Sequence, residues 1–275
     1  TDTATDTATA TDTATDTATD TDTATDTAPD TAPDASAPAD ALATACDPAT
    51  AGLYQVKYTV ADHAEVYAVA KLSDGYALAG VAEVNGGFDG LLIRTDVTGV
   101  ATWSKTFGGD GIELLYGVAG LPGGDMVVAG SSDSINTADL AWLVRLSPKG
   151  ELVWQSTLGS PGKASAAAIS LSGADLATVG WRQADATRHG FVAVVDDSGK
   201  PKSMIEDGAP GESELSALVV AEAGIAAAGR RFGKDASSPG AWLWQLDALG
   251  KPVASHVYTA PAMGGSAAEA QAIAA

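Results

Sequence analysis

Two stretches of the chain, "LIRTDVTGVATWSKTFG" from Leu92 to Gly108 and "LVRLSPKGELVWQSTLG" from Leu143 to Gly159, follow one pattern. In each, a Gly is followed four residues later by a Trp and five residues after that by another Gly. Aligning the rest of the chain on this pattern gives four units, approximately 65–112, 113–162, 163–211 and 212–264. A repeat of about fifty residues indicates an architecture built by stacking one supersecondary unit.

Three glycine columns keep these units in register. They are Gly80, Gly130, Gly180 and Gly229; Gly99, Gly150, Gly199 and Gly250; and Gly108, Gly159 and Gly208. Within a unit the apolar residues alternate with period two, in short runs that end at turn residues. The first unit reads as four strands, here a to d: "VYAVAKL", "YALAGVAEV", "LLIRTD" and "VATWSKTF". Four short antiparallel strands per repeat predict an all-β fold, a β-propeller with about four complete blades.

Both ends of residues 51–275 carry pieces of further blades. Residues 52–62 align with strand d without an insertion, and residues 267–275 read as the start of a new strand a. Propellers often close by completing one blade from both termini, which removes free sheet edges. The sequence therefore predicts a partial, truncated propeller whose ring needs further residues.

Residues 1–50 differ sharply from the repeats, because they consist almost entirely of Thr, Asp, Ala and Pro. They hold eleven Asp and no Lys or Arg, more than half of the net charge of −20. Such a segment has too little apolar surface to fold, so we predict a disordered acidic stalk, either bare or glycosylated. The acidity of the whole chain argues against nucleic acid as a partner.

Localisation signals in the sequence are weak. It contains no apolar run long enough to predict a transmembrane helix. "LATAC" at Cys46 resembles a lipoprotein acylation site, but the residues before it are polar, so a free thiol is favoured. We expect any secretion signal or membrane anchor to lie upstream, and the stalk favours an extracellular or cell-envelope location.

Aromatic residues recur with the period of the repeat. Strand c carries Leu91, Trp142, Phe191 and Trp242 in one column, and strand d carries Trp103 and Trp154 four residues after the second glycine. Because blades pack face to face, rings at these positions are predicted to be structural core. Stacking on a sugar or a cofactor is the alternative.

The repeats quoted above resemble those of secreted or envelope-anchored bacterial β-propeller proteins. They are similar, more distantly, to the repeats of quinoprotein dehydrogenases and outer-membrane assembly lipoproteins, whose turn resembles "DVTGVATW" from Asp96 to Trp103. The later units depart from this motif, with Ser203 and Ala254 in place of Trp. Neither a Trp-Asp dipeptide nor a double glycine closing strand b occurs, so the Trp-Asp and kelch propeller patterns fit less well.

No sequence motif predicts catalysis, a cofactor or a metal. Nucleophile elbows, phosphate-binding loops and zinc-protease motifs are absent from the sequence. "DHAE" with Asp62, His63 and Glu65, and "DSINTAD" with Asp133, Asn136 and Asp139, are weak candidates for ion binding. Whether the protein is an enzyme stays open, with a non-catalytic role favoured.

Polar connections between strands b and c supply the candidate ligand-binding residues. If blades follow in order, the connections of the third and fourth units bring together six basic or titratable residues: Arg182, Arg188, His189, Arg230, Arg231 and Lys234. A positive patch of this kind suits a carboxylate, a sulfate or an acidic glycan; ordinary solvated charges are the alternative. We predict a stalked binding module for a protein or glycan. An enzyme or cofactor-binding propeller and a structural surface component are the alternatives.

Overall fold

Sixteen strands form four separate four-stranded sheets in a computed structural model that describes residues 56–135, 139–159, 162–183, 185–232 and 239–259. Sheet 1 contains β1 (Ala64–Lys71), β2 (Gly75–Val84), β3 (Gly87–Asp96) and β4 (Ala101–Phe107). Sheet 2 contains β5 (Glu113–Gly120), β6 (Met126–Ser132), β7 (Leu140–Leu146) and β8 (Leu152–Leu158). Sheet 3 contains β9 (Lys163–Ser172), β10 (Asp175–Gln183), β11 (His189–Val195) and β12 (Pro201–Glu206). Sheet 4 contains β13 (Ser213–Ala221), β14 (Gly224–Arg231), β15 (Gly240–Leu246) and β16 (Pro252–Tyr258).

Each sheet is an antiparallel meander in chain order, so its four strands are a, b, c and d of one repeat. Strands a of successive sheets contact one another, which places them at the inner edge of the assembly. The prediction of four-stranded antiparallel blades in a β-propeller arrangement is confirmed. The stalk at 1–50, Cys46 and the strand expected at 267–275 lie outside the described residues.

The core consists of layers between neighbouring sheets. One buried cluster joins sheets 1 and 2, a second joins sheets 2 and 3, and a third joins sheets 3 and 4. Alternate residues of a strand enter the clusters on its two sides: Trp142 faces sheet 1, while Leu143 faces sheet 3. Each internal sheet is therefore apolar on both faces, and its strands read as nearly continuous apolar runs.

The first glycine column lies opposite a β-bulge in strand a. The register shifts by one residue in every a–b pair, and the extra, bulged residues of strand a are Tyr67, Tyr116, Ala167 and Ser216. The bulge drives strand a towards the facing glycine of strand b. A Cβ on Gly130 would lie 1.7 Å from the carbonyl oxygen of Leu114, and one on Gly180 would lie 1.9 Å from that of Ser165. Only glycine fits there.

The second glycine column closes the turn between strands c and d. Gly99, Gly150, Gly199 and Gly250 all have φ between 70° and 82°. Each donates its N–H to the carbonyl three residues earlier, at Asp96, Ser147, Asp196 or Asp247. The side chain of that earlier residue accepts two further backbone N–H groups, as Asp96 Oδ1 does from Thr98 and Val100. This turn can recur in every blade because its backbone N–H groups donate to acceptors within the turn itself.

These turns predict a local dependence on pH. A hydrogen bond from the Thr98 hydroxyl, together with backbone N–H groups, lowers the pKa of Asp96 below 3.8, and the Ser198 hydroxyl does the same for Asp196. A lowered pKa means that the carboxylate stabilises the turn above the ordinary pKa, and that this stabilisation is lost as pH falls through the folded value. We expect the amide proton shifts of Val100 and Lys200 to titrate at a lower pH than an ordinary aspartate does.

The turn at Ser147 is the internal control for that titration, because its hydroxyl accepts the N–H of Lys149 and carries no charge. The nuclear magnetic resonance signal of the Lys149 amide proton should not show the Asp-type transition. Equal titration of all three turns would mean that global unfolding, rather than the carboxylates, causes the change.

The connection between strands b and c in sheet 1 is shorter than the sequence analysis suggests. The stretch "NGGFDG" at 85–90 separates the predicted strands b and c and reads as a polar loop. In the structure Val84 pairs with Gly87, and only Asn85 and Gly86 form the turn. Their φ angles are 51° and 83°, the left-handed pair that closes a two-residue hairpin. The Asn-Gly dipeptide carries this signal, so the first blade has no polar b–c loop.

Residues 56–62 contain no strand, although the sequence predicts strand d over 52–62, of which the first four residues lie outside the described part. The segment nevertheless covers the outer face of sheet 1. Its side chains Tyr58, Val60 and Ala61 pack on the buried cluster of Ala82, Leu91 and Ile93.

The position of this segment matches that of strand d in the other interfaces. The Tyr58 hydroxyl donates to the carbonyl of Gly99 in the c–d turn of sheet 1. In the same way Lys105, on strand d of sheet 1, donates to the carbonyl of Gly150 in the c–d turn of sheet 2, at 3.0 Å. The segment thus lies where strand d of a preceding blade would lie. It is not a strand, because a strand requires backbone hydrogen bonds to a neighbouring strand.

Candidate functional site

A cavity of about 490 Å³ opens at the inner edge of sheets 2, 3 and 4. Its walls come from the beginning of strand a in each sheet and from the end of the adjacent strand b. The bulged residues Tyr116, Ala167 and Ser216 all line it. A bulge turns one side chain out of the regular alternation, so the same irregularity that requires the first glycine column also shapes the cavity wall.

Charged side chains gather around this cavity in equal numbers of each sign. They are Asp133, Asp139, Lys163, Arg188, Glu214 and Arg230. Apolar residues complete the lining, among them Leu114, Trp181 and Leu215. The volume lies within the range of small-ligand sites, and an apolar wall with a few charged groups is their usual composition.

Glu214, at the start of β13, joins two arginines at this cavity. Arg188 Nη1 lies 2.7 Å from Glu214 Oε1, while Nε and Nη2 of Arg230 lie 3.0 Å and 2.7 Å from Oε2. The guanidinium of Arg188 also stacks over the indole of Trp181, 4.3 Å from the ring centroid. Arg188 lies in the b–c connection of the third blade, directly before β11, and Glu214 lies in β13 of sheet 4, so the ion pair crosses the interface between blades.

Lys163 and Asp139 form a second ion pair at the cavity, with Nζ 2.8 Å from Oδ2. The hydrogen bond from Lys163 to Asp139 raises the pKa of the lysine, and the nearby positive charge of Arg188 acts in the opposite direction. Lys163 and Arg188 are therefore close enough to affect each other. Tyr116 also lines the cavity, and burial raises the pKa of its hydroxyl above the ordinary value.

Five of the six residues of the expected positive patch are described, and these five do not form one exposed basic surface. Arg188 and Arg230 come together at Glu214, as described. Arg182 pairs with Glu206, and Arg231 Nε lies 3.0 Å from Asp207 Oδ2. Neither Arg182 nor Arg231 lines the cavity. Lys234 lies outside the described residues.

His189 lies at the start of β11, opposite Arg182 in the ladder, and its Nδ1 is buried without a hydrogen-bond partner in the described structure. The weak ion-binding candidates are engaged locally. His63 Nε2 is 3.4 Å from Glu65, Asp139 pairs with Lys163, and Asn136 lies outside the described residues. Over the described ranges, no three His, Cys, Asp or Glu side chains group as metal ligands.

Rings of the aromatic column occupy the interfaces between blades. Trp142, Phe191 and Trp242 are buried and face the preceding sheet, with 5%, 0% and 1% of their surface exposed. Trp103 and Trp154 are half-buried and face the following sheet. Their indole N–H groups donate to the carbonyls of Pro148 and Asp197, in the next c–d turn.

Sequence reasoning missed Tyr116, Lys163, Trp181 and Glu214 at the cavity. The available signal was the first glycine column, since a glycine inside a strand marks a close approach or a bulge in the neighbouring strand. The bulged residues are Tyr in the first two sheets but Ala and Ser in the other two, so they form no uniform column that an alignment could detect.

Comparisons with known proteins add little beyond this geometry. No protein-family model matches the sequence, and a search of curated proteins finds no match. Among solved structures, the chain is similar to the Pan2 WD40 domain of Neurospora crassa, with 11% identity and a TM-score of 0.43 over 71% of this chain and 66% of that one. It is also similar to Sqt1 from Chaetomium thermophilum, with 15% identity and a TM-score of 0.34 over 71% of this chain and 62% of that one. The described residues include no helix long and apolar enough to cross a membrane.

Proposed function

We propose that the chain is a non-catalytic binding module of the bacterial cell envelope or exterior, and that a protein partner inserts a short segment into the cavity between sheets 2, 3 and 4. The observation that carries this proposal is the cavity itself. Three blades build it mostly from strand residues, joined by Ile112, Asp133, Asp139 and Arg188 directly beside the strand ends, so its shape is set mainly by the sheets. A preformed cavity saves the entropy cost of ordering the site on binding.

A peptide segment suits this cavity better than a glycan. Sugars bind to proteins by stacking on an accessible aromatic face, but one face of Trp181 is covered by the Arg188 guanidinium at 4.3 Å. The half-buried Trp103 and Trp154 contact the next blade. The remaining wall combines aliphatic side chains, Tyr116 and charged groups that are mostly ion-paired, which matches the mixed surface of a peptide.

The proposed location rests on the composition of residues 1–50. This acidic segment, rich in Thr, Asp, Ala and Pro, is predicted to be a stalk that repulsion between its own charges extends. A stalk of this kind would present a binding module away from a surface. Secretion, the bacterial source and the distant likeness to quinoproteins stay predictions that rest on the resemblance and on composition, and at Cys46 a free thiol is favoured over a lipid anchor.

The test is a selection of displayed peptides against the full chain, run beside a glycan array. Peptides that are selected should bind the unchanged protein and lose binding to Ala167→Trp, because the larger ring fills the cavity from a bulged position. Leu249→Trp is the matched control, since Leu249 is 80% exposed in a c–d turn that does not line the cavity. Both variants should keep the thermal stability of the parent.

Two outcomes would contradict the proposal. Selected peptides that bind Ala167→Trp as tightly as the parent would place recognition outside the cavity. Glycan hits that disappear in Ala167→Trp, with no peptide selected, would make this a carbohydrate-binding propeller.

A further inference from the structure

Unused hydrogen-bond donors remain on the two arginines that share Glu214 at the cavity. We propose that Arg188 and Arg230 together bind a carboxylate of the inserted peptide, with Glu214 as the residue that holds both guanidiniums in position. This inference rests on the proposed function, because it names the chemical group that the cavity recognises.

Arg188 and Arg230 have N–H groups that remain available for a ligand. A guanidinium carries five N–H groups and accepts no hydrogen bond. Glu214 receives Nη1 of Arg188 and Nε and Nη2 of Arg230. Among the described residues, Nε and Nη2 of Arg188 and Nη1 of Arg230 have no hydrogen-bond acceptor. These donors suit the two oxygens of a carboxylate, which guanidinium groups bind in a bidentate manner.

Both arginine side chains are already held in place before a ligand binds. Arg188 is fixed by Glu214 and by stacking on Trp181, and Arg230 lies opposite Glu214 in the ladder between β13 and β14. They nevertheless stay accessible, with 42% and 35% of their side-chain surfaces exposed. Arginines that are ordered before binding lose less conformational entropy when a ligand arrives.

The local charge around the two arginines also favours an anionic ligand. The cluster of Arg188, Glu214 and Arg230 has a net charge of +1, because two cations share one carboxylate. The other acids of the cavity already have partners. Asp139 pairs with Lys163, and Asp133 Oδ1 accepts the backbone N–H of Ile112. Attraction at short range therefore favours an anionic group at the arginines, even though the six charges of the cavity sum to zero.

The carboxylate has two possible sources in a peptide, a chain end or an acidic side chain. Four probes separate them: Ac-Ala-Ala-Phe-OH for the chain end, Ac-Ala-Asp-Phe-NH2 for the side chain, the neutral Ac-Ala-Ala-Phe-NH2 and the basic Ac-Ala-Lys-Phe-NH2. The phenylalanine gives each probe the same apolar group for the cavity wall. Binding is measured with the full chain by titration calorimetry and by the indole resonance of Trp181.

One or both acidic probes should bind about tenfold more tightly than the neutral probe, because charge-assisted hydrogen bonds are stronger than neutral ones. Arg188→Gln and Arg230→Gln should each remove this preference. Arg182→Gln is the matched control, since it also breaks an Arg–carboxylate pair at the same end of sheet 3 but does not line the cavity. Added salt should weaken binding of the acidic probes more than that of the neutral one.

Glu214→Gln gives a result with the opposite sign. Removing the shared carboxylate raises the local charge to +2 while leaving an amide that can still accept hydrogen bonds. We expect the acidic probes to bind a few-fold more tightly to this variant, an effect that loss of folding cannot produce. Circular dichroism establishes that all four variants are folded.

Each remaining result overturns the inference. Equal binding of acidic and neutral probes, or preferential binding of the basic probe, would remove the carboxylate while leaving a peptide-binding cavity. Acidic probes that bind Arg188→Gln and Arg230→Gln as well as the parent would assign recognition to other residues. The failure of all four probes to bind would reject the carboxylate site, and the peptide selection would then test the proposed function separately.

Discussion

Replacing Gly180 by Ala is expected to lower the free energy of unfolding by about 3 kcal/mol. The new Cβ would lie 1.9 Å from the backbone oxygen of Ser165 and 3.0 Å from the Cα of Ala166. Neither atom belongs to a flexible side chain, so the bulged strand β9 would have to move away from β10. Because β9 also contacts sheets 2 and 4, this movement would disturb two interfaces. Urea denaturation of the full chain measures the loss.

Gly208→Ala is the matched control for that substitution. Gly208 belongs to the third glycine column, its φ is ordinary, and no heavy atom lies within 4 Å of a Cβ built there. Alanine at this position should leave stability unchanged or raise it slightly, by limiting the unfolded chain. If Gly180→Ala and Gly208→Ala had the same effect, the close approach at the bulge would not be what requires glycine.

Trp154→Ala is the second substitution with a large expected effect, also about 3 kcal/mol. The indole of Trp154 packs directly on Gly199, since a Cβ at that glycine would lie 2.7 Å from ring atoms. Its N–H donates to the carbonyl of Asp197 at 2.8 Å. Both contacts connect sheet 2 to the c–d turn of sheet 3, so the substitution removes stabilising contacts between the two blades.

The effect of Trp154→Ala should be confined to the turn that the ring contacts. Hydrogen exchange at the Lys200 amide should speed up, while exchange at Glu151, in the c–d turn of sheet 2, should not. Val153→Ala serves as the control, because Val153 is 50% exposed on the other side of the same strand. A loss of stability no larger than that of Val153→Ala would show that the ring does not connect the blades.

The interface between sheets 3 and 4 shows how the repeat varies without losing its core. Ser203 stands where Trp103 and Trp154 stand in earlier blades, and its hydroxyl lies 3.4 Å from the carbonyl of Leu249. The aromatic volume comes from the other side instead. Trp244 of sheet 4 is buried against sheet 3 and stacks on Trp242, with ring centroids 5.2 Å apart. Large and small residues thus exchange sides across the layer.

The sequence by itself determined the repeat, the four-strand blades and the buried position of the aromatic column between blades. These follow from local chemistry: glycines that close turns with positive φ, alternation of period two, and rings that return once per blade. The Asn85-Gly86 dipeptide also determines a two-residue hairpin, within a stretch whose polar composition predicts a longer loop.

Only the tertiary structure decided how charges are paired and where a cavity forms. Sequence order placed the basic residues of sheets 3 and 4 near one another, but not the acids beside them. Arg188 meets Glu214 across two blades, 26 positions apart in the chain, and Arg182 meets Glu206 across the sheet. Such pairing depends on which faces meet when the blades stack, and no local pattern records it. The cavity has the same origin, since the bulge that directs Tyr116, Ala167 and Ser216 into it belongs to the register between strands and not to any residue type.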